Sequence, residues 1–130
     1  MAGNIKSCVV DASFVLTYLY PLERTKTVEK IFDQCRDGKI RLLSTKLLPF
    51  EVLNSARWAV LRNKVSLDQA ESIVNAFFDL DIEYGEIDYQ DTFKLAVKKG
   101  LTVYDTSYLI LALANKVKLL TFDKQLEKVS

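Results

Sequence analysis

Short apolar runs without alternation, separated by stretches of helical periodicity, constrain this chain more than any other feature. Cys8, Val9 and Val10 are apolar at successive positions, so residues 7–10 predict a strand covered on both faces. Ile40 to Leu43 and Lys118 to Phe122 read as further strands. Residues 81–88 instead alternate acidic and apolar positions, with Ile82, Tyr84 and Ile87, and suggest a strand toward a sheet edge.

Between these runs the periodicity is helical. Asp11-Ala12-Ser13 opens a helix carrying Phe14, Val15 and Leu16, which must stop before Pro21. From Thr25 to Arg36, Val28, Ile31, Phe32 and Cys35 share one face, and Gly38 follows where a left-handed residue is wanted. Lys46 to Arg62 reads as helix, with Pro49 tolerable only in its first turn. Ser66-Leu67-Asp68-Gln69 has the capping-box pattern. Further helices are expected from Asp91 to Gly100, from Asp105 to about Asn115, and from Asp123 onward. Strands alternating with helices predict an α/β class, a three-layer α/β/α sandwich around a mainly parallel sheet. At 130 residues the chain suits one domain, residues 1–130.

Histidine is absent. That removes Ser-His-Asp and Cys-His chemistry and argues against a zinc site. Cys8 and Cys35 stand far apart in no metal-ligand spacing, as expected for reduced thiols in a cytoplasmic protein. The longest apolar stretch, Tyr108 to Ala114, falls well short of a spanning helix, which needs roughly 20 residues. The apolar run after Lys6 is interrupted by Asp11 and has no small-residue cleavage site, so export is not expected. Eighteen basic residues against 17 acidic ones leave a formal charge of +1. A charge-driven DNA coater is thereby disfavoured, but not an enzyme whose acids offset its phosphate-binding cations.

Four acids sit where solvated acids are not expected. Asp11 and Asp123 follow apolar strand runs and so fall at the carboxyl ends of parallel strands, the edge where open α/β sheets bind ligands. Asp105 precedes a strongly apolar turn, and Glu51 is embedded in Leu48-Pro49-Phe50-Glu51-Val52-Leu53. Each has an ordinary explanation: an Asp at a helix start caps it, and a Glu in a first turn is favoured by the helix dipole. Taken together they point further. Carboxylates sharing one pocket repel one another unless a cation stands between them. All-oxygen ligation without His or Cys suits Mg²⁺ or Mn²⁺.

Val10-Asp11-Ala12-Ser13, Glu51 with Asn54, Tyr104-Asp105-Thr106-Ser107-Tyr108, and Thr121-Phe122-Asp123 together resemble the PIN-domain family over essentially the whole chain. The likeness is to the VapC-type toxins of prokaryotic toxin–antitoxin pairs. Thr106 departs from the small alanine common there. The resemblance implies a metal-dependent endoribonuclease in which Asp11, Glu51, Asp105 and Asp123 hold Mg²⁺ or Mn²⁺. Ser13, Asn54 and Thr121 would be polar supports beside those acids, although each hydroxyl has a local backbone hydrogen bond as its alternative. It also implies an RNA substrate, a homodimer, and an antitoxin whose helix lies in an apolar groove and occludes the acids. Other readings stay open at this point: a PIN-domain nuclease of RNA processing without an antitoxin, or a PIN-like module that binds RNA or protein without cutting. Haloacid-dehalogenase-like phosphatases would need an Asp where Ser13 stands, and receiver domains an early acidic pair; neither accounts for Glu51.

Overall fold

A computed structural model describes residues 5–130; the first four residues of the expected domain lie outside the described residues. Its elements run β1 (Lys6–Val10), α1 (Ala12–Leu19), α2 (Lys26–Arg36), β2 (Ile40–Thr45), α3 (Leu48–Leu61), α4 (Leu67–Phe78), β3 (Ile82–Gly85), α5 (Tyr89–Lys99), α6 (Val103–Asn115), β4 (Lys118–Leu120) and α7 (Lys124–Val129). The four strands pair in the order β3-β2-β1-β4, and every pairing is parallel.

Parallel neighbours cannot be joined by a tight turn, so each crossover carries helices. From β1 to β3 the chain steps in one direction across the sheet, and its third crossover returns to the far side of β1. Right-handed crossovers that reverse direction place their helices on the opposite face. Accordingly α2 packs on β2 with α1 beside it, and α1 in turn touches α3 and α4. Across the sheet, α6 packs on β1, β2 and β4, with α5 against it. The sandwich therefore has three layers. Its switch point lies between β1 and β4, and a crevice at their carboxyl ends is where this topology binds ligands.

Burial explains the non-alternating strands. Cys8, Val9 and Val10 are buried in succession because β1 is central and covered on both sides. On β2, Ile40, Leu42, Ser44 and Thr45 are buried. The Ser44 hydroxyl is satisfied by donating to the Val10 carbonyl at 2.7 Å. β3 is the outer strand, as its acidic–apolar alternation suggests. Ser66 and Gln69 close the capping box that starts α4, and Pro49 sits in the first turn of α3. Gly38 (φ 75°) and Gly100 (φ 67°) carry the chain out of α2 and α5 in the left-handed conformation.

Strand β3 is shorter than the expected 81–88, and β2 runs two residues beyond Leu43. Three further boundaries differ from the sequence expectation for a local reason. Helix α5 begins before Asp91, because Asp88 accepts the Asp91 N–H and serves as cap. Helix α6 begins before Asp105, because the Thr102 hydroxyl takes the capping role. Strand β4 ends at Leu120, leaving Thr121 and Phe122 in the turn before α7. In each case a nearby side chain competes for backbone N–H groups that apolar periodicity does not register. Among the described residues no helix is long and apolar enough to cross a membrane.

Leu42 is fully buried at the centre of the sheet. Leu42→Ala should cost about 2–5 kcal/mol, read as a lower urea midpoint with an unchanged slope.

Candidate active site

The first residue after β1 is Asp11, and its position is dictated from two sides. Its backbone N–H reaches the Leu120 carbonyl of β4 at 3.4 Å. Its side chain caps α1: Oδ1 accepts the Phe14 N–H at 3.0 Å and the Ser13 hydroxyl at 2.7 Å. Oδ2 accepts the hydroxyl of Thr121. The carboxyl group is only 4% exposed. The same two hydroxyls also tie down the turn after β4, since Ser13 Oγ accepts the Phe122 N–H at 2.9 Å and Thr121 Oγ1 accepts the Asp123 N–H at 2.9 Å. With both hydroxyl protons donated to Asp11, the 3.3 Å approach of Ser13 Oγ to Thr121 Oγ1 is a contact and not a further bond. Ser13 and Thr121 thus make their bonds to the acid and to the opposite loop together.

Glu51 lies in the first turn of α3. The hydroxyl of Tyr108, from α6, donates to its Oε1. Tyr108 is itself 1% exposed, and a phenol that deep needs a partner. Thr45, the last residue of β2, is buried nearby in the network, its hydroxyl 3.4 Å from Ser107 Oγ. Asp105 sits at the third position of α6, where its backbone N–H goes to Thr102. Its carboxylate is therefore not a helix cap, contrary to the simplest reading of its place in the sequence. Asp123 does cap α7, through Oδ1 and the Leu126 N–H at 3.0 Å. The hydrogen bonds leave Oε2 of Glu51 and Oδ2 of Asp123 unused. Asn54, one turn past Glu51, is exposed and bonded to none of the acids. The Thr106 hydroxyl is spent on the Thr102 carbonyl at 2.7 Å, which explains why its departure from alanine costs the fold nothing visible.

The electrostatics bind the four acids into one group. Burial pushes the Asp11 carboxyl above its ordinary range, the neighbouring Asp123 adds to that rise, and the bonds from Thr121, Ser13 and Phe14 oppose it. Glu51 is raised by burial and then by Asp105 and Asp11, against the Tyr108 bond. Asp105 is raised by burial, by Asp123 and by Asp11, with Thr102 opposing. Burial and the bond to Glu51 push the Tyr108 phenol up as well, which keeps it a donor at neutral pH. Among the described residues, the ion pairs involve none of the four acids. As the side chains stand, no three of them close into a cage that would grip an ion. Two of the carboxylates, Asp11 and Asp123, are turned to their helix caps. Hard oxygen donors, raised carboxyls and no cationic side chain are the donor chemistry that suits a divalent cation.

Tyr108, Thr45 and Thr102 were not among the residues the sequence singled out for the site. The signal for Tyr108 was its place one turn after Asp105 in an otherwise apolar helix, where a phenol must find an acceptor.

Fold and site together define an α/β protein whose chemistry rests on carboxylates at the switch-point edge of a parallel sheet. Residues 8–130 match the family model of the PIN domain, and the chain belongs to the PIN-domain family. It is VapC-like: it is 37% identical over 125 residues to Ribonuclease VapC3 of Pyrobaculum aerophilum, covering 91% of this chain and 90% of that protein. The crystal structure of PAE2754 from Pyrobaculum aerophilum shares the fold, with a TM-score of 0.73 at 20% identity, over 94% of this chain and 78% of that one.

A carboxyl whose folded pKa is raised binds more protons in the folded than in the unfolded state between the two values. Metal-free stability should therefore fall as pH climbs out of the ordinary carboxylate range, roughly pH 4, and stay low above the raised values. Asp105→Asn removes one repelling charge and no capping bond. In chelator at neutral pH it should melt a few degrees above wild type, roughly 2–8 °C per kcal/mol relieved, with the gap closing near pH 4. A lower melting point at neutral pH would show that the fold stabilises this charge.

Proposed function

We propose that this chain is a Mg²⁺- or Mn²⁺-dependent endoribonuclease, one PIN-like domain acting in the cytoplasm as the toxin of a toxin–antitoxin pair. The observation that carries the reading is the group of four acids without a cationic partner at the switch-point crevice, in a chain related to a named ribonuclease. Asp11, Glu51, Asp105 and Asp123 would hold the ion. When bound, it supplies Lewis-acid activation at the phosphoryl group and neutralises developing negative charge.

The chain's own residues prepare that chemistry. Asp11 presents a carboxylate whose two oxygens are oriented by Ser13 and Thr121, so little reorganisation remains when a cation arrives. Glu51 is held by Tyr108, which leaves its second oxygen directed by the first. Asp105, uninvolved in capping, and the unused oxygen of Asp123 complete the donor set. No imidazole is present to act as general base, which fits hydrolysis that relies on carboxylates and a hard ion.

A groove favours the toxin reading over an RNA-processing nuclease without a partner. Leu16 and Leu19 of α1, Tyr20, Trp58 of α3 and Ile73 of α4 line a cavity of about 870 Å³. Of the apolar residues of α1, Phe14 and Val15 belong to the core alone, while Leu16 and Leu19 form the groove wall. The Tyr20 hydroxyl is buried there with no hydrogen-bond partner. An antitoxin helix would cover the apolar wall and give that hydroxyl an acceptor or donor. The homodimer implied by the resemblance has an exposed stripe available in Tyr89, Phe93 and Val97 of α5.

Asp11→Asn should bring cleavage of single-stranded RNA in Mg²⁺ down to the level seen in chelator while circular dichroism stays native. Ser13→Ala and Thr121→Val should each lower activity roughly 10- to 100-fold, as the loss of groups supporting a metal ligand does. Wild-type rates in Asp11→Asn would remove the assignment.

A further inference from the structure

The core-facing side of α3 carries Leu48, Val52, Ala56 and Ala59, all buried. Beside it runs a second strip, Glu51, Ser55, Trp58 and Arg62, whose spacings of four, three and four residues put them on one edge of the helix. A tryptophan on a helix is ordinarily spent on core packing or a subunit contact. The Trp58 indole is 46% exposed, so core packing does not account for it. Two guanidiniums accompany the ring, with Arg62 Cζ at 4.7 Å and Arg57 Cζ at 5.5 Å from its centroid. Neither arginine, nor Lys64 just beyond, is in an ion pair among the described residues.

The strip connects two places already described. It starts at Glu51 of the acid group, and Ser55, Trp58 and Arg62 are also wall residues of the groove. At ~1.5 Å of rise per residue, Trp58 lies about 10 Å along the helix from Glu51. A strand cut beside Glu51 therefore has its neighbouring nucleotides within reach of the indole. Unpaired cations around an exposed aromatic face match a flexible polyanion with flat bases: phosphates meet guanidiniums while a base stacks on the ring. Trp and Arg are also common at protein interfaces. What favours RNA here is the short distance from Glu51 and the cations without acidic partners among the described residues.

Resting on the ribonuclease reading, we propose that the Trp58 strip of α3, with Arg57 and Arg62, grips single-stranded RNA next to the cleavage position. Trp58 stacks on a base, and the two arginines hold adjacent phosphates. Because Trp58 and Arg62 also line the groove, an antitoxin seated there would exclude substrate by occupying its grip as well as the acids.

Trp58 is the only tryptophan in the chain, so its fluorescence reports on this surface alone. Single-stranded RNA titrated into the full-length protein in chelator, where it is not cut, should quench that fluorescence saturably. Affinity should fall with salt. By anisotropy of a labelled copy of the same RNA, Trp58→Ala should bind roughly 10- to 100-fold more weakly, and Trp58→Phe should recover most of the loss. The double variant R57A/R62A should reduce the salt slope by about 1.4, the share of two phosphates on a single strand. In Mg²⁺ these variants should raise KM with kcat held. The arginines are exposed, so the double variant carries the test if Trp58→Ala does not fold. Unchanged affinity and KM in both, while wild type cleaves normally, overturns the grip and leaves the ribonuclease reading standing. Equal quenching by a duplex of the same sequence overturns the stacking. A wild-type protein that neither binds nor cuts RNA overturns both.

Discussion

A nearly buried carboxylate at the junction of two parallel strands is the interaction on which the rest of this structure depends. Asp11 accepts bonds from Phe14, Ser13 and Thr121, and its own N–H goes to Leu120. Burying a charge without such partners costs several kcal/mol, and charge-assisted bonds are what offset it. Each of those bonds also has a structural consequence. One starts α1, another joins the end of β1 to the turn after β4, and a third sets the orientation of the carboxylate. The same hydroxyls receive the N–H groups of Phe122 and Asp123, so the crevice edge is shaped by the group that is to work there.

Around Asp11 the fold gathers negative charge and supplies no positive side chain to balance it. Burial first, and the neighbouring acids after it, hold the carboxyls of Asp11, Glu51 and Asp105 above their ordinary range. Elsewhere on the surface acids are paired in the ordinary way, as Arg41 with Glu83 and Lys46 with Glu86. The contrast matters because exposed pairs contribute little to stability, whereas unpaired, partly buried carboxylates act against it. The fold therefore keeps these acids near one another at a cost in stability.

Helix α3 links this acid group to the surface beyond it. One side is core, and the adjoining edge carries Glu51 at one end and the Trp58–Arg62 pair at the other. The first-turn placement of Glu51 suits the helix dipole, and Tyr108 reaches it from α6 on the opposite layer. The groove between α1, α3 and α4 begins a turn from Glu51. Candidate catalytic group, candidate substrate contact and candidate partner groove therefore share one rigid element, which makes their distances insensitive to loop motion.

Much of this was legible in the amino-acid sequence. The non-alternating apolar run at residues 7–10 suited a parallel strand covered on both faces, and the alternation of strands with helices predicted three layers. The absence of histidine removed imidazole-based catalysis, and the four blocks around Asp11, Glu51, Asp105 and Asp123 pointed to the family. Local pattern could not separate a capping aspartate from a free one, because both sit at helix starts. Only the packed chain decided that Thr102 caps α6 and leaves Asp105 unencumbered, while Asp11 and Asp123 remain caps. Tyr108 beneath Glu51, the Thr121 bond to Asp11 across 110 residues, and the exposure of Trp58 were likewise beyond local reading. Periodicity reports which face of an element is apolar; which polar atoms meet across elements depends on crossover direction and strand order, and these exist only once the sheet is assembled.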